Sequence, residues 1–258
     1  MQKIIKKLTV PKVILRYIMM NFIDMETIKN VIIHVKIMNV LDNYSKDILT
    51  KAKNGFRYNC DHGYLTAAKW LYSFGDVDIH ADNEIAFRRS CENGHLAVAQ
   101  WLYSLPNVNI HAGYESAFKL SCSNGYLAVA EWLYVLGNVN IHADNEAAFR
   151  WACSSGHLAV AKWLYALGNV NIHANNEAAF RLSCYNGHLI VAKWLYSLGN
   201  VNIHANNEYA FNWSCFCGHL SVAQWLYSLG NVNIYADNGF VFRWTKGNIL
   251  DWLNTIKN

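Results

Sequence analysis

A chain of 258 residues that is 53% apolar and only 16% charged has ample material for a core, which excludes an intrinsically disordered polymer. Its net charge of +4 is unevenly spread: residues 1–53 carry ten Lys and Arg against four Asp and Glu, and residues 54–258 carry twelve against fourteen. A body with no cationic excess argues against nucleic acid as a partner, because phosphate binding needs one.

Residues 1–22 hold an apolar helix-like run from Val13 to Phe22, just after Pro11, a residue that suits a helix start. Lysines followed by apolar residues resemble a secretory leader, but Arg16 interrupts the run and no small-residue cleavage site follows. No run reaches the roughly 18 apolar residues of a membrane span. The expectation is a soluble, intracellular, cytoplasmic chain without a membrane partner. Residues 23–53 follow with apolar residues at 25, 28, 31, 32 and 35, a helical spacing. Asp47-Ile48 matches Asp78-Ile79 one period on, so 23–53 reads as a decayed terminal repeat.

From residue 54 the chain repeats itself every 31 residues. Tryptophan recurs at 70, 101, 132, 163, 194 and 225, and phenylalanine at 56, 87, 118, 149, 180, 211 and 242. A fixed period of this size marks units that each pack only on their neighbours. Residues 54–239 hold six such units, and 240–258 a seventh, shortened by four residues before Asp251-Trp252-Leu253, which reads as a C-terminal cap.

Each unit predicts two helices. In the fourth, Glu146–Ser155 is the first helix, with Phe149, Ala152 and Cys153 on its buried stripe. Gly156 ends it in the left-handed conformation. The second helix runs from about Leu158 to Leu167, apolar on most sides, and Gly168 stops it. Asp144 or Asn145 is expected to cap the first helix. Glu146 would lie in its first turn, four residues before Arg150, and the same pair recurs as Glu84/Arg88, Glu115/Lys119 and Glu177/Arg181 but is lost at Glu208/Asn212.

The Gly-His-Leu-x-Val-Ala-x-Trp-Leu run, from Gly156 to Leu164 and its counterparts, resembles the second helix of the ankyrin repeat over residues 54–258. The Trp-Leu-Tyr variant and the 31-residue length look most like ankyrin proteins of large amoeba-infecting DNA viruses. The resemblance implies an all-α solenoid of helix–turn–helix units with hairpin-like loops, stacked in a curved array that binds other proteins on its concave face. Two departures stand out: the unit is two residues shorter than the usual ankyrin repeat, and Ala147-Ala148-Phe149-Arg150 replaces the family's Thr-Pro-Leu-His opening.

Repetition also bears on chemistry. Cys60, Cys91, Cys122, Cys153, Cys184 and Cys215 share one repeat position. Stacked helices stand about 10 Å apart, too far for disulfides, so these read as buried free thiols of a reducing compartment. His80, His111, His142, His173 and His204 form one column, read as loop histidines bonded to neighbouring backbone. His95, His157, His188 and His219 form another, at the start of the second helices. Columns at that spacing cannot converge on one metal ion. No phosphate loop, nucleophile elbow or metalloprotease motif is present. The chain is therefore expected to have no catalytic residues, no metal, no cofactor and no small-molecule substrate.

What varies between repeats carries the remaining information. Relative to each Phe, positions −2, +2 and +5 change most, and their spacing places them on one face of the first helix. Aromatic residues accumulate there toward the C-terminus. Arg89, Leu120, Trp151, Tyr185, Tyr209, Trp213 and Phe216 are the candidate partner-binding residues. A competing reading has the +2 column packed between adjacent first helices. The expected function is a monomeric, non-enzymatic scaffold for a protein partner. An alternative is a ubiquitin-ligase adaptor, because Pro11–Ile18 with Phe22 resembles the start of an F-box, although Val10-Pro11-Lys12-Val13 lacks that family's acid.

Overall fold

The computed structural model describes residues 55–75 and 77–257. The expectations for residues 1–53, including the F-box-like segment, lie outside the described residues. The chain divides into two compact units, Met1–Ala86 and Phe87–Asn258. In the first, a helical stretch over 55–61 precedes the helix Leu65–Tyr72. In the second, first helices (Ala112–Ser123, Ala143–Ser154, Ala174–Tyr185 and Ala205–Phe216) alternate with second helices (Leu127–Leu136, Leu158–Ala166, Leu189–Ser197 and Leu220–Ser228). Ala236–Trp244 and Gly247–Thr255 close the series. Every regular element among the described residues is a helix.

The repeated residues build the core. Phe87, Phe118, Phe149, Phe180 and Phe211 are each 1% exposed, and the repeated cysteines beside them are buried and free. Burial pushes the Cys60 and Cys215 thiols up to about 12, and the four between them up as well, so they act as small apolar residues. Trp132, Trp163, Trp194, Trp225 and Trp252 each lean on the preceding repeat. The Trp225 ring lies 6.1 Å from Phe180 and meets Tyr196 edge-on at 5.8 Å. The pattern repeats from Phe87 and Tyr103 against Trp132 to Phe211 and Tyr227 against Trp252. The invariant Trp-Leu-Tyr block is thus an inter-repeat joint, edge-to-face as ring quadrupoles prefer.

Gly156 ends the first helix as its sequence position predicts. Its φ is +83°, the His157 N–H donates to the Ala152 carbonyl at 2.9 Å and the Gly156 N–H to the Cys153 carbonyl at 3.1 Å. This is the paired-bond termination that glycine favours. A second constraint acts on the same residue: a Cβ there would lie 2.6 Å from Nδ1 of His188 in the next repeat. His157, His188 and His219 of the second column therefore stack over the glycines of the preceding repeats.

That stacking predicts a pH effect. The His188 pKa is lowered by burial and by the neighbouring His157 and His219, with a hydrogen bond from its ring to the Ser154 carbonyl opposing the shift. Unfolded imidazole titrates near its ordinary value of about 6.5. The neutral ring is thus favoured by the fold, and its contribution is present above that pH and lost as pH falls through the lower folded value. The urea midpoint is expected to fall on going from neutral to mildly acidic buffer, and to fall less in His188→Gln. An equal fall in both chains would contradict the assignment.

Entry into the first helix departs from expectation. Asp144, Asn145 and Glu146 have φ of 52°, 60° and 65° with ψ of 42°, 55° and 34°, so they form a left-handed turn and the right-handed helix starts at Ala147. The same triplet recurs at Asn175–Glu177 and Asn206–Glu208. Asp and Asn tolerate this region, while for Glu it costs about 1–2 kcal/mol. The Asp144 carboxylate takes Lys119 and the Asn145 amide bonds Asn175, so these side chains are engaged away from the expected N-cap role.

Candidate interaction face

Glu146 is held in its strained conformation by what its carboxylate binds. It is 6% exposed, and it accepts from His142 Nδ1 at 2.9 Å and from the Asn171 N–H of the next repeat at 3.3 Å. The same set recurs at Glu177 with His173 and Asn202, and at Glu208 with His204 and Asn233. This corrects two expectations. The first histidine column bonds to a carboxylate, not to backbone, and the glutamate's partner is that histidine, not the cation four residues on.

The cations bond elsewhere. Arg150 Nε donates to the Asn145 carbonyl at 2.7 Å and Nη2 to the Asp144 carbonyl at 2.9 Å, closing the left-handed turn of its own repeat. It also reaches forward: in the orientation that satisfies both ends of the Asn175 amide, its oxygen accepts from Arg150 at 3.2 Å. Arg181 does the same with Asn176, Asn175 and Asn206. Lys119, 6% exposed, pairs with Asp144. Burial lowers the pKa of Arg150 and Arg181, opposed by Asp144 and Glu146 at the first and by Tyr209 and Glu177 at the second.

The candidate residues fall into two sets. Tyr185, Tyr209, Trp213 and Phe216 come together, joined by Phe240, which belongs to the same face but was not among the candidates. Trp213 is central, with ring centroids 5.7 Å from Tyr185 and Tyr209 and 5.3 Å from Phe216 and Phe240. Phe216 and Phe240 are 6.0 Å apart, and the Arg181 guanidinium sits 4.8 Å from the Tyr209 ring. Arg89, Leu120 and Trp151 do not join this cluster. Arg89 pairs with Glu92 at 3.0 Å, Leu120 is half-buried, and Trp151 has the Lys119 ammonium 5.7 Å from its ring.

The +2 column thus has a packing role. Trp213 touches rings of the preceding and following repeats and is half-buried, as is Trp151. Phe216 stands out from the cluster at 46% exposure, and Trp244, at the +2 position of the last repeat, is 56% exposed. Packed against one another, these rings present an apolar surface with an exposed rim.

The family model described as ankyrin repeats in three copies matches residues 89–176 and again 149–237. Among solved structures, the human ASB11 ankyrin repeat domain is similar, with a TM-score of 0.59 at 19% identity, covering 78% of this chain and 96% of that one. No curated protein matches the chain.

Proposed function

We propose that this chain, which belongs to the ankyrin-repeat family, is a non-enzymatic scaffold that captures a protein partner on the first-helix face around Tyr185, Trp213, Phe216 and Phe240. The observation that carries this reading is the cluster itself. Large aromatic side chains, held in place by one another and exposed at their rim, are the residues that supply most of the energy in protein interfaces. They lose little conformational freedom on binding, because packing has already fixed them. The buried thiols fit a reducing, intracellular location. Among the described residues no helix is long and apolar enough to cross a membrane.

The rim residues test this without unfolding the chain. Tyr185→Ser with Phe216→Ser is expected to weaken partner binding by about tenfold or more while shifting the melting temperature by only a few degrees, since neither ring is in the core. Binding unchanged in this variant would remove the reading.

A further inference from the structure

One rung of the inter-repeat cation ladder is missing, and it is missing beside the aromatic cluster. In each repeat the residue after the phenylalanine reaches the first residue of the next left-handed turn. Arg57 pairs with Asp82 at 3.5 Å, the Arg88 side chain packs against Gly113, Lys119 pairs with Asp144, Arg150 meets Asn175 and Arg181 meets Asn206. The next rung is Asn212 facing the turn of Asp237. Asn212 spends its amide N–H on the Asn207 carbonyl at 3.2 Å, and its Oδ1 is buried with no hydrogen-bond partner.

The comparison with Asp144 isolates the defect. Asp144 has Arg150 of its own repeat on its carbonyl and Lys119 of the preceding repeat on its carboxylate. Asp237 has Arg243 of its own repeat on its carbonyl at 2.9 Å. Among the described residues, the preceding repeat supplies Asn212 at this rung, and no ion pair forms on the exposed Asp237 carboxylate. Where the rung is complete next to an aromatic −2 residue, at Arg181, the guanidinium lies over that ring, Tyr209. The corresponding ring here is Phe240, 5.3 Å from Trp213.

We infer that this vacant rung takes a basic side chain, Arg or Lys, from the protein partner. The partner's cation meets the Asp237 carboxylate and the Phe240 ring face, and apolar residues beside it cover Trp213 and Phe216. A carboxylate and an aromatic face together attract a cation more than either does alone. Arg243 of the same repeat places its Nη2 on the Asp237 carbonyl, and the Lys257 ammonium lies over the Phe242 ring. The inference rests on the first-helix face being the binding surface and adds the partner's chemistry.

The test uses the intact chain and random peptides displayed on phage as the probe. Selected peptides are expected to share an Arg or Lys flanked by apolar residues. Their affinity is expected to fall about tenfold or more in Asn212→Arg, which restores the in-chain cation, and in Asp237→Asn. Asn212→Arg should melt at the same temperature as the parent or higher, since Arg is the residue used at 150 and 181. Peptides whose binding is lost in Phe216→Ser but unchanged in Asn212→Arg would overturn the basic-residue inference and leave the face intact. Peptides indifferent to both changes, or no selected peptides, would overturn both.

Discussion

Phe180→Ala is expected to destabilise the chain by about 3–5 kcal/mol, the range for truncating a large buried aromatic. Phe180 is 1% exposed, and its ring is wedged toward Trp225 of the next repeat at 6.1 Å. Removing it opens a cavity inside one repeat and loosens the joint to the following one. In a stacked array, stability is the sum of unit terms and nearest-neighbour interfaces, so a damaged joint harms both sides. Urea unfolding should show a lower midpoint and, with the joint cut, a broadened or two-step transition in which the C-terminal repeats open first. A loss below about 1 kcal/mol would mean that the phenylalanine column is not what couples the units.

Gly156→Ala carries two separable penalties. The first is backbone: alanine at φ +83° costs about 1–2 kcal/mol. The second is steric, because the new Cβ lies 2.6 Å from the His188 ring and the ring must move. The single substitution is therefore expected to cost about 2–3 kcal/mol, more than the conformational term alone. In Gly156→Ala combined with His188→Ala only the backbone part should remain on the glycine side. The double-mutant cycle is expected to show a coupling of about 1 kcal/mol. Strict additivity would mean that the histidine column does not press on the glycines.

The period and the core were legible because packing requires the same residue at the same place in each unit. Phe, Cys, Trp-Leu-Tyr and the two glycines all do what their repetition implies. The left-handed turn was not legible. Local preference favours Glu146 as a right-handed first-turn residue beside Arg150, and the i,i+4 spacing reinforced that reading. What overrides it is tertiary: the carboxylate gains His142 and the Asn171 N–H of the next repeat. The forward reach of Arg150 and Arg181 was hidden for the same reason, since their partners lie in the next repeat rather than one helical turn away. At the candidate face, variation between repeats pointed to Tyr185, Tyr209, Trp213 and Phe216. It did not decide between surface and packing at Trp213, because a ring flanked by rings of both neighbouring repeats is half of each. Phe240 belongs with them, and its −2 position was the signal available for finding it.

On the proposed reading, the first-helix face, not the second-helix face, captures the partner. The most direct measurement is the affinity of one selected partner for the parent chain and for two matched variants of similar melting temperature. One is Tyr185→Ser with Phe216→Ser; the other is Val135→Ser with Ile190→Ser, which changes exposed second-helix residues outside the inter-repeat joint. The expected result is a loss of about tenfold or more in the first and near-parent affinity in the second. Loss in the second with parent affinity in the first would contradict the claim and move the interface to the opposite set of helices.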